Sequence, residues 1–403
     1  MQLAQRAAPA SGAAASKARK AFRPAKSCSV VVRAQNAASS GEATTRRSLL
    51  GASVALSAAA GVLPQLALPG GARANTVLSA DWEQVKLPVD DAVVLLDIGF
   101  CGDDPNHGFL LGTRQTLLET LDGGKTWEPR TIEAARDEGF NYRFNSVSFS
   151  GSEGWIVGKP AILLHTADSG KNWERIPLSN KLPGTPLLVS ALGNGGAEMT
   201  TDQGAIYVTD NTAYSWTAAV QETVDATLNR TVSSGISGAS YYEGSFSNVA
   251  RSARGDYVAV SSRGNFFMTW TPGQTYWQPH NRPTARRVQN MGFTAAGDAL
   301  WMSTRGGDVY LSADAEGNGF DTTKLSSRGF GVLDVGYATP DIAFACGGSG
   351  SLFKSMDGGK TWKRDKSTDG VAGNLYSIHF FPGNNGFILG NSGILLKYIG
   401  GTA

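Results

Sequence analysis

The chain has 403 residues, of which 41% are hydrophobic, with 50 glycines, nine tryptophans and only three cysteines. Its net charge of +2 hides two parts of opposite sign. Residues 1–74 hold ten Lys and Arg against one acid, which leaves 26 basic and 33 acidic residues beyond them, a net charge of −7. An acidic body disfavours a nucleic-acid partner, and two cysteines past residue 74, Cys101 and Cys346, do not make a disulfide framework.

From Met1 to Gly41 there is no Asp or Glu, and the stretch is rich in Ala, Ser, Lys and Arg. Few acids among basic and small residues describe an organelle transit peptide, which cannot bury enough apolar surface to fold. Residues 42–74 read as a second signal. Arg46 and Arg47 precede an apolar run to Leu68, and Ala72-Arg73-Ala74 supplies a small-residue cleavage site. Paired arginines, an apolar core and that site predict twin-arginine export into the thylakoid lumen. A membrane anchor is the bland alternative; Pro64, Pro69 and the small residues weaken it. Residues 75–403 are then the folded part.

That part repeats. Thr120-Leu121-Asp122-Gly123-Gly124-Lys125-Thr126-Trp127 recurs at Thr166–Trp173 and at Ser355–Trp362. The pattern resembles the Asp-box of sialidase-like propellers. Each copy lies between alternating apolar runs, so it predicts a hairpin turn in which Asp accepts backbone N–H groups and Gly takes positive φ. Weaker copies lead to Trp216, Trp277 and Phe320. With Trp82 the closing aromatics are spaced 42 to 46 residues apart, except for one gap of 61. Four strands per such period predict an all-β fold, a β-propeller. The last repeat, from Leu375 to Ile399, has three strands and no closing Trp. Its missing strand is Asp81 to Leu87 at the other end of the folded part, so seven blades are expected, the last closed by the N-terminal strand.

The two faces of such a ring carry different chemistry. Naming blade strands A to D from axis to rim, D–A and B–C connections share one face, and A–B and C–D turns share the other. The Asp-boxes are C–D turns, and their carboxylates are used up in holding hairpins. Between Leu182 and Thr323 there is no lysine but a run of arginines, which suggests a demand for planar, bidentate guanidinium contacts. Arg263 and Arg305 fall on B–C turns of the fourth and fifth blades. Arg282, Arg286 and Arg287 fall on the D–A connection into the fifth blade, and Arg328 on the one into the sixth. The long gap carries an extra D–A segment with Arg230, Tyr241 and Tyr242, so these nine residues are expected on one partner-binding face. Arg251 and Arg254 fall on the opposite side and are expected to be structural. The bland reading of the arginines is pairing with local acids such as Asp256, Asp298, Asp308 and Asp321.

No catalytic constellation stands out. The histidines His107, His165, His280 and His379 have no metal-ligand spacing, and no nucleotide-binding or hydrolase motif occurs past residue 74. No metal or cofactor is expected. His107 reads as part of an A–B turn.

The double signal, the repeats and the arginine face resemble the photosystem II stability/assembly factor family of chloroplasts and cyanobacteria. The resemblance is most specific over residues 229–242, 261–266 and 286–293. It implies a non-enzymatic lumenal factor, peripheral to the thylakoid membrane. Such a factor binds newly synthesised reaction-centre protein in its precursor form and early reaction-centre assembly intermediates. The family's proposed arginine docking patch matches Arg230, Arg263, Arg286, Arg287 and Arg305, and a monomer is expected. Two rivals remain. A sialidase-like glycosidase also needs an arginine cluster, with a Tyr nucleophile backed by Glu; here Tyr241-Tyr242-Glu243 lies on an extra loop. A permanent lumenal subunit of photosystem II would differ in abundance.

Overall fold

The computed structural model describes residues 75–136, 141–220, 245–325, 327 and 331–400. Seven antiparallel sheets follow one another along the chain, over residues 95–129, 143–176, 186–218, 246–281, 288–322, 332–365 and 375–398. Six have four strands in sequential order, and the innermost strand of each blade contacts that of the next all the way round, seventh to first included. The chain is a seven-bladed β-propeller.

Within a blade, position decides pattern. The second strands Tyr257–Ser261, Leu300–Thr304 and Ala343–Gly347 are buried along their whole length, because sheets cover both of their faces. The innermost strands, such as Val332–Tyr337, are only partly covered, and the outermost, such as Asp321–Thr322, are exposed.

The seven closing aromatics are the contacts between blades. Each packs on the blade before its own. Trp127 meets Phe387 (ring centroids 6.4 Å apart), Trp173 meets Phe109 (5.9 Å), Trp216 meets Trp155 (6.4 Å) and Phe320 meets Phe267 (5.8 Å). Trp277 donates its indole N–H to the Gly204 carbonyl at 2.7 Å, and Trp362 packs in the cluster of Trp301 and Leu311. Such edge-to-face pairs add about 0.5–1.5 kcal/mol each beyond the area they bury.

The Asp-box turns stand behind these wedges. Asp122 accepts the N–H groups of Lys125 and Thr126, both at 2.9 Å, and the hydroxyls of Thr120 at 2.8 Å and Thr126 at 2.6 Å. Asp168 and Asp357 repeat the arrangement. The Asn172 N–H holds the Asp168 carboxyl below its ordinary range. Gly170, at φ +80°, also leaves room for the neighbouring blade, since a Cβ there would lie 2.3 Å from the Phe109 ring. In blade 3 the Asp position of the turn is held by Asn211.

The seventh blade closes as its missing strand requires. Trp82–Val85 pairs with Leu395–Tyr398 in the register Trp82↔Tyr398 and Val85↔Leu395. A short strand not anticipated from the sequence, Thr76–Val77, adds to the outer edge of Trp82–Val85. Trp82 is fully buried against Phe344 of blade 6 (5.1 Å) and Tyr398 (5.3 Å), and Lys354 Nζ reaches Asp81 at 2.7 Å. His107, expected in a turn, lies instead within the strand Asp104–Gly112, buried and 2.8 Å from Glu119.

Removing the closing wedge should cost a large core truncation. Trp82→Ala is expected to lower the unfolding free energy by about 3–5 kcal/mol, read from denaturant titration. A loss below about 1 kcal/mol would show that the ring does not depend on this strand.

Candidate functional site

Arg263 lies between the strands Tyr257–Ser261 and Phe266–Trp270, and Arg305 between Leu300–Thr304 and Val309–Leu311. Arg282, Arg286 and Arg287 lie on the connection from Gln278–Asn281 to Val288–Phe293. All five are on the D–A/B–C face of blades 4 and 5. Arg230, Tyr241, Tyr242 and Arg328 lie outside the described residues.

Backbone hydrogen bonds join these segments. Val288 N–H donates to the Gly264 carbonyl at 2.8 Å, and Arg305 N–H donates to the Arg287 carbonyl at 2.8 Å. The first ties the turn of blade 4 to the start of blade 5, and the second ties the two arginine segments of blade 5 to each other. The Arg286 guanidinium lies over Gly306, 3.0 Å from the Asp308 carboxylate, so local pairing holds for this arginine. Arg287 and Arg305 are exposed, and neither they nor Arg282 have an ion-pair partner among the described residues. On the other face Arg251 bonds Glu198 at 2.6 Å and Arg254 approaches Asp256 at 3.3 Å. Those two arginines are structural.

The close approach at Gly264 admits no side chain. It sits at φ +67°, and a Cβ would fall 2.0 Å from the Val288 carbonyl oxygen. Gly264→Ala is therefore expected to cost about 1–3 kcal/mol of stability and to separate Arg263 from Arg287, seen as a lower denaturation midpoint.

The same face opens into the axis of the ring. Each of the seven innermost strands carries a one-residue register shift near its start. The residues skipped by the pairing are Leu96, Asn145, Leu187, Ser247, Gln289, Leu333 and Tyr376, and all seven line a funnel of about 650 Å³. Its mouth also includes Arg143 and Arg305. A β-bulge spends one residue outside the ladder and re-aims it; repeated seven times, it paves the funnel.

In five of the blades the next residue along the strand, Asp97, Ser146, Asn248, Asn290 or Asp334, hydrogen-bonds the neighbouring blade. Asp97 accepts Val147 N–H at 2.8 Å, Asp334 accepts Ile378 N–H at 2.8 Å and the Asn290 amide at 3.1 Å, and Asn290 also bonds Asn248. His379 lies 3.8 Å from Asp97, pushed down by burial as Asp97 is pushed up. Burial raises the Asp334 carboxyl from 3.8 to about 7. A carboxyl that protonates more readily folded than unfolded stabilises the fold most below pH 3.8, and that contribution is lost as the pH rises through about 7. Stability should therefore fall between pH 4 and pH 7, on the order of a few kcal/mol, and Asp334→Asn should flatten that slope in thermal melts.

Arg143 and Tyr376 were not among the residues expected from the sequence. A signal for the funnel was present: Asp97, Asn248, Asn290 and Asp334 recur at one position of otherwise apolar first strands.

Comparison with known proteins places the chain. The family described as "Photosynthesis system II assembly factor YCF48" matches residues 74–399. The chain belongs to that YCF48 family. It is 58% identical over 360 residues to "Photosystem II stability/assembly factor HCF136, chloroplastic" of Arabidopsis thaliana, covering 88% of this chain and 87% of that protein. It is 50% identical over 320 residues to "Photosystem II assembly protein Ycf48" of Thermosynechococcus vestitus, covering 79% and 84%. Among solved structures it is similar to YCF48 from Cyanidioschyzon merolae, with a TM-score of 0.72 at 50% identity, covering 79% of this chain and 98% of that one. A structure described as YCF48 bound to D1 peptide gives 0.69 at 45% identity, covering 81% and 99%.

Within this YCF48 fold one Tyr–Glu–Arg cluster has the residue types of a sialidase nucleophile. Tyr257 donates its hydroxyl to Glu198 at 2.8 Å, beside Arg251. Tyr257 is 1% exposed, and burial pushes its phenol well above the ordinary range. A phenol held neutral and covered is a structural hydrogen-bond donor. No group of three or more His, Cys, Asp or Glu suited to a metal occurs among the described residues.

Proposed function

We propose that the chain is a photosystem II assembly factor of the thylakoid lumen that binds reaction-centre protein through the arginine face, and that it is not an enzyme. The observation that carries this reading is the cluster of Arg263, Arg287 and Arg305, joined by backbone hydrogen bonds on one face. Family membership supports it, and the relative bound to a D1 peptide supports a reaction-centre subunit as client. Residues 1–41 serve as the transit peptide and 42–74 as the twin-arginine signal that delivers residues 75–403 to the lumen.

The body of the protein is acidic, so only a local field of cations attracts an acidic client segment. Arg287 and Arg305, with no carboxylate partner among the described residues, keep their hydrogen-bond donors for the client, and Arg is the favoured residue for bidentate carboxylate contacts. The factor would hold the exposed segment of a newly synthesised precursor, as a monomer, until the next assembly step replaces it. The lock on Tyr257 argues against this tyrosine as a glycosidase nucleophile.

The test is affinity purification of the tagged protein from solubilised thylakoids, read by mass spectrometry. The wild type should recover early reaction-centre intermediates at low salt and lose them at high salt, because partly exposed ion pairs are screened. Arg287→Glu/Arg305→Glu should keep the wild-type melting midpoint and lower recovery about tenfold or more. Undiminished recovery by the double variant would sink the arginine-face reading.

A further inference from the structure

The arginine face is not flat, and its cavity has the composition of a binding site. Small-ligand and peptide pockets combine apolar walls with a few placed polar groups. The axial funnel has both. Leu96, Leu187 and Leu333 are only partly buried on its wall, and Asn145, Gln289 and Tyr376 stand beside them. Three partly exposed leucines in a concave, solvent-open site gain by being covered.

Charge is arranged by depth. Arg143 and Arg305 stand exposed at the mouth, and neither has an ion-pair partner among the described residues. Deeper, the lining carboxyls Asp97 and Asp334 are engaged by backbone N–H groups of neighbouring blades, beside His379. Among the described residues that line it, the depths therefore hold no Lys or Arg for an anion, and the mouth holds two arginines.

We infer that the axial funnel is the seat of the client segment: it takes the end of an extended acidic polypeptide, with an apolar side chain against the leucine wall and a carboxylate held at the mouth by Arg143 and Arg305. This rests on the arginine-face reading and adds to it a specific place, a direction of approach and residues from blades 1, 2, 3, 6 and 7. The arginines of the outer turns then guide the rest of the segment, and the bulges supply the contacts that select it. Because the Asp334 carboxyl below the mouth loses its charge on protonation, repulsion of an acidic segment weakens as the pH falls through about 7.

Cross-linking from inside the funnel tests the placement. Cys101 and Cys346 are buried, so in residues 75–403 a new exposed cysteine takes up benzophenone maleimide selectively. That span forms the closed ring by itself, and the solved relative it matches is covered over 98% of its length by 79% of this chain. Ser247→Cys places the label in the funnel, and Tyr214→Cys places it on the opposite face at a side chain 93% exposed. After mixing with solubilised thylakoids and irradiation, adducts to reaction-centre protein are expected at 247 and not at 214. Gln289→Trp, which fills the funnel and leaves the arginines in place, should lower client recovery about tenfold with an unchanged melting midpoint. Full recovery by Gln289→Trp together with no adduct at 247 would overturn the funnel and leave the arginine face standing. Recovery of no client even by the wild type would overturn both. Should Gln289→Trp fail to fold, the adduct pattern decides alone.

Discussion

The structure depends on one repeated contact: an aromatic side chain at the end of each outer hairpin that packs on the blade before it. A single twisted four-stranded blade has two faces and cannot bury either by itself, so its stability comes from neighbours. Trp127 on Phe387 and Trp82 on Phe344 are the same contact at the two sides of the seventh blade. A wedge that always points backwards leaves an unfilled place unless the ring closes. Closure requires the N-terminal strand, because the last repeat ends before its own wedge. The pairing of Trp82–Val85 with Leu395–Tyr398 is the consequence, and the Lys354–Asp81 contact ties that strand to blade 6 as well.

This constraint divides the two faces. The face of the C–D turns is occupied by the work of holding wedges, since each Asp-box carboxylate is saturated by donors of its own turn. Asp122, Asp168 and Asp357 have little capacity left for a ligand. The opposite face carries the connections between blades, which the wedges do not restrict. There the arginine segments are held by main-chain hydrogen bonds, and Arg282, Arg287 and Arg305 have no carboxylate partner among the described residues. Rigid backbone with unspent side chains is the arrangement that lowers the entropic cost of binding.

The axis adds what no blade possesses alone. Each innermost strand bulges by one residue, and the seven displaced side chains form one funnel. In five blades the residue after the bulge reaches across to the next blade, and His379 stands beside Asp97, so that Asp97, Asp334 and His379 belong to a small polar ring at the axis. Burial moves their proton affinities, up to about 7 for Asp334, so the charge carried at the axis depends on pH. The established family role in photosystem II assembly and the proposed lumenal location make that sensitivity relevant to function.

Much of this was legible in the residues. The period of the closing aromatics, the Asp-box turns and the strand missing from the last repeat determined the fold class, the blade count and the way the ring closes, because these depend on local turn chemistry and on periodicity. The grouping of Arg263, Arg286, Arg287 and Arg305 on one face followed from the same count, since in a propeller the face is set by which connection a residue occupies. Which of these arginines stay unspent was decided only by tertiary structure. Arg286 reaches Asp308 while Arg287 and Arg305 reach none among the described residues, and a side-chain pairing over three dimensions leaves no mark in sequence spacing. Arg143 and Tyr376 belong to the funnel for a similar reason. They lie far apart in the chain, and only the closed ring and its bulges bring them to one axis.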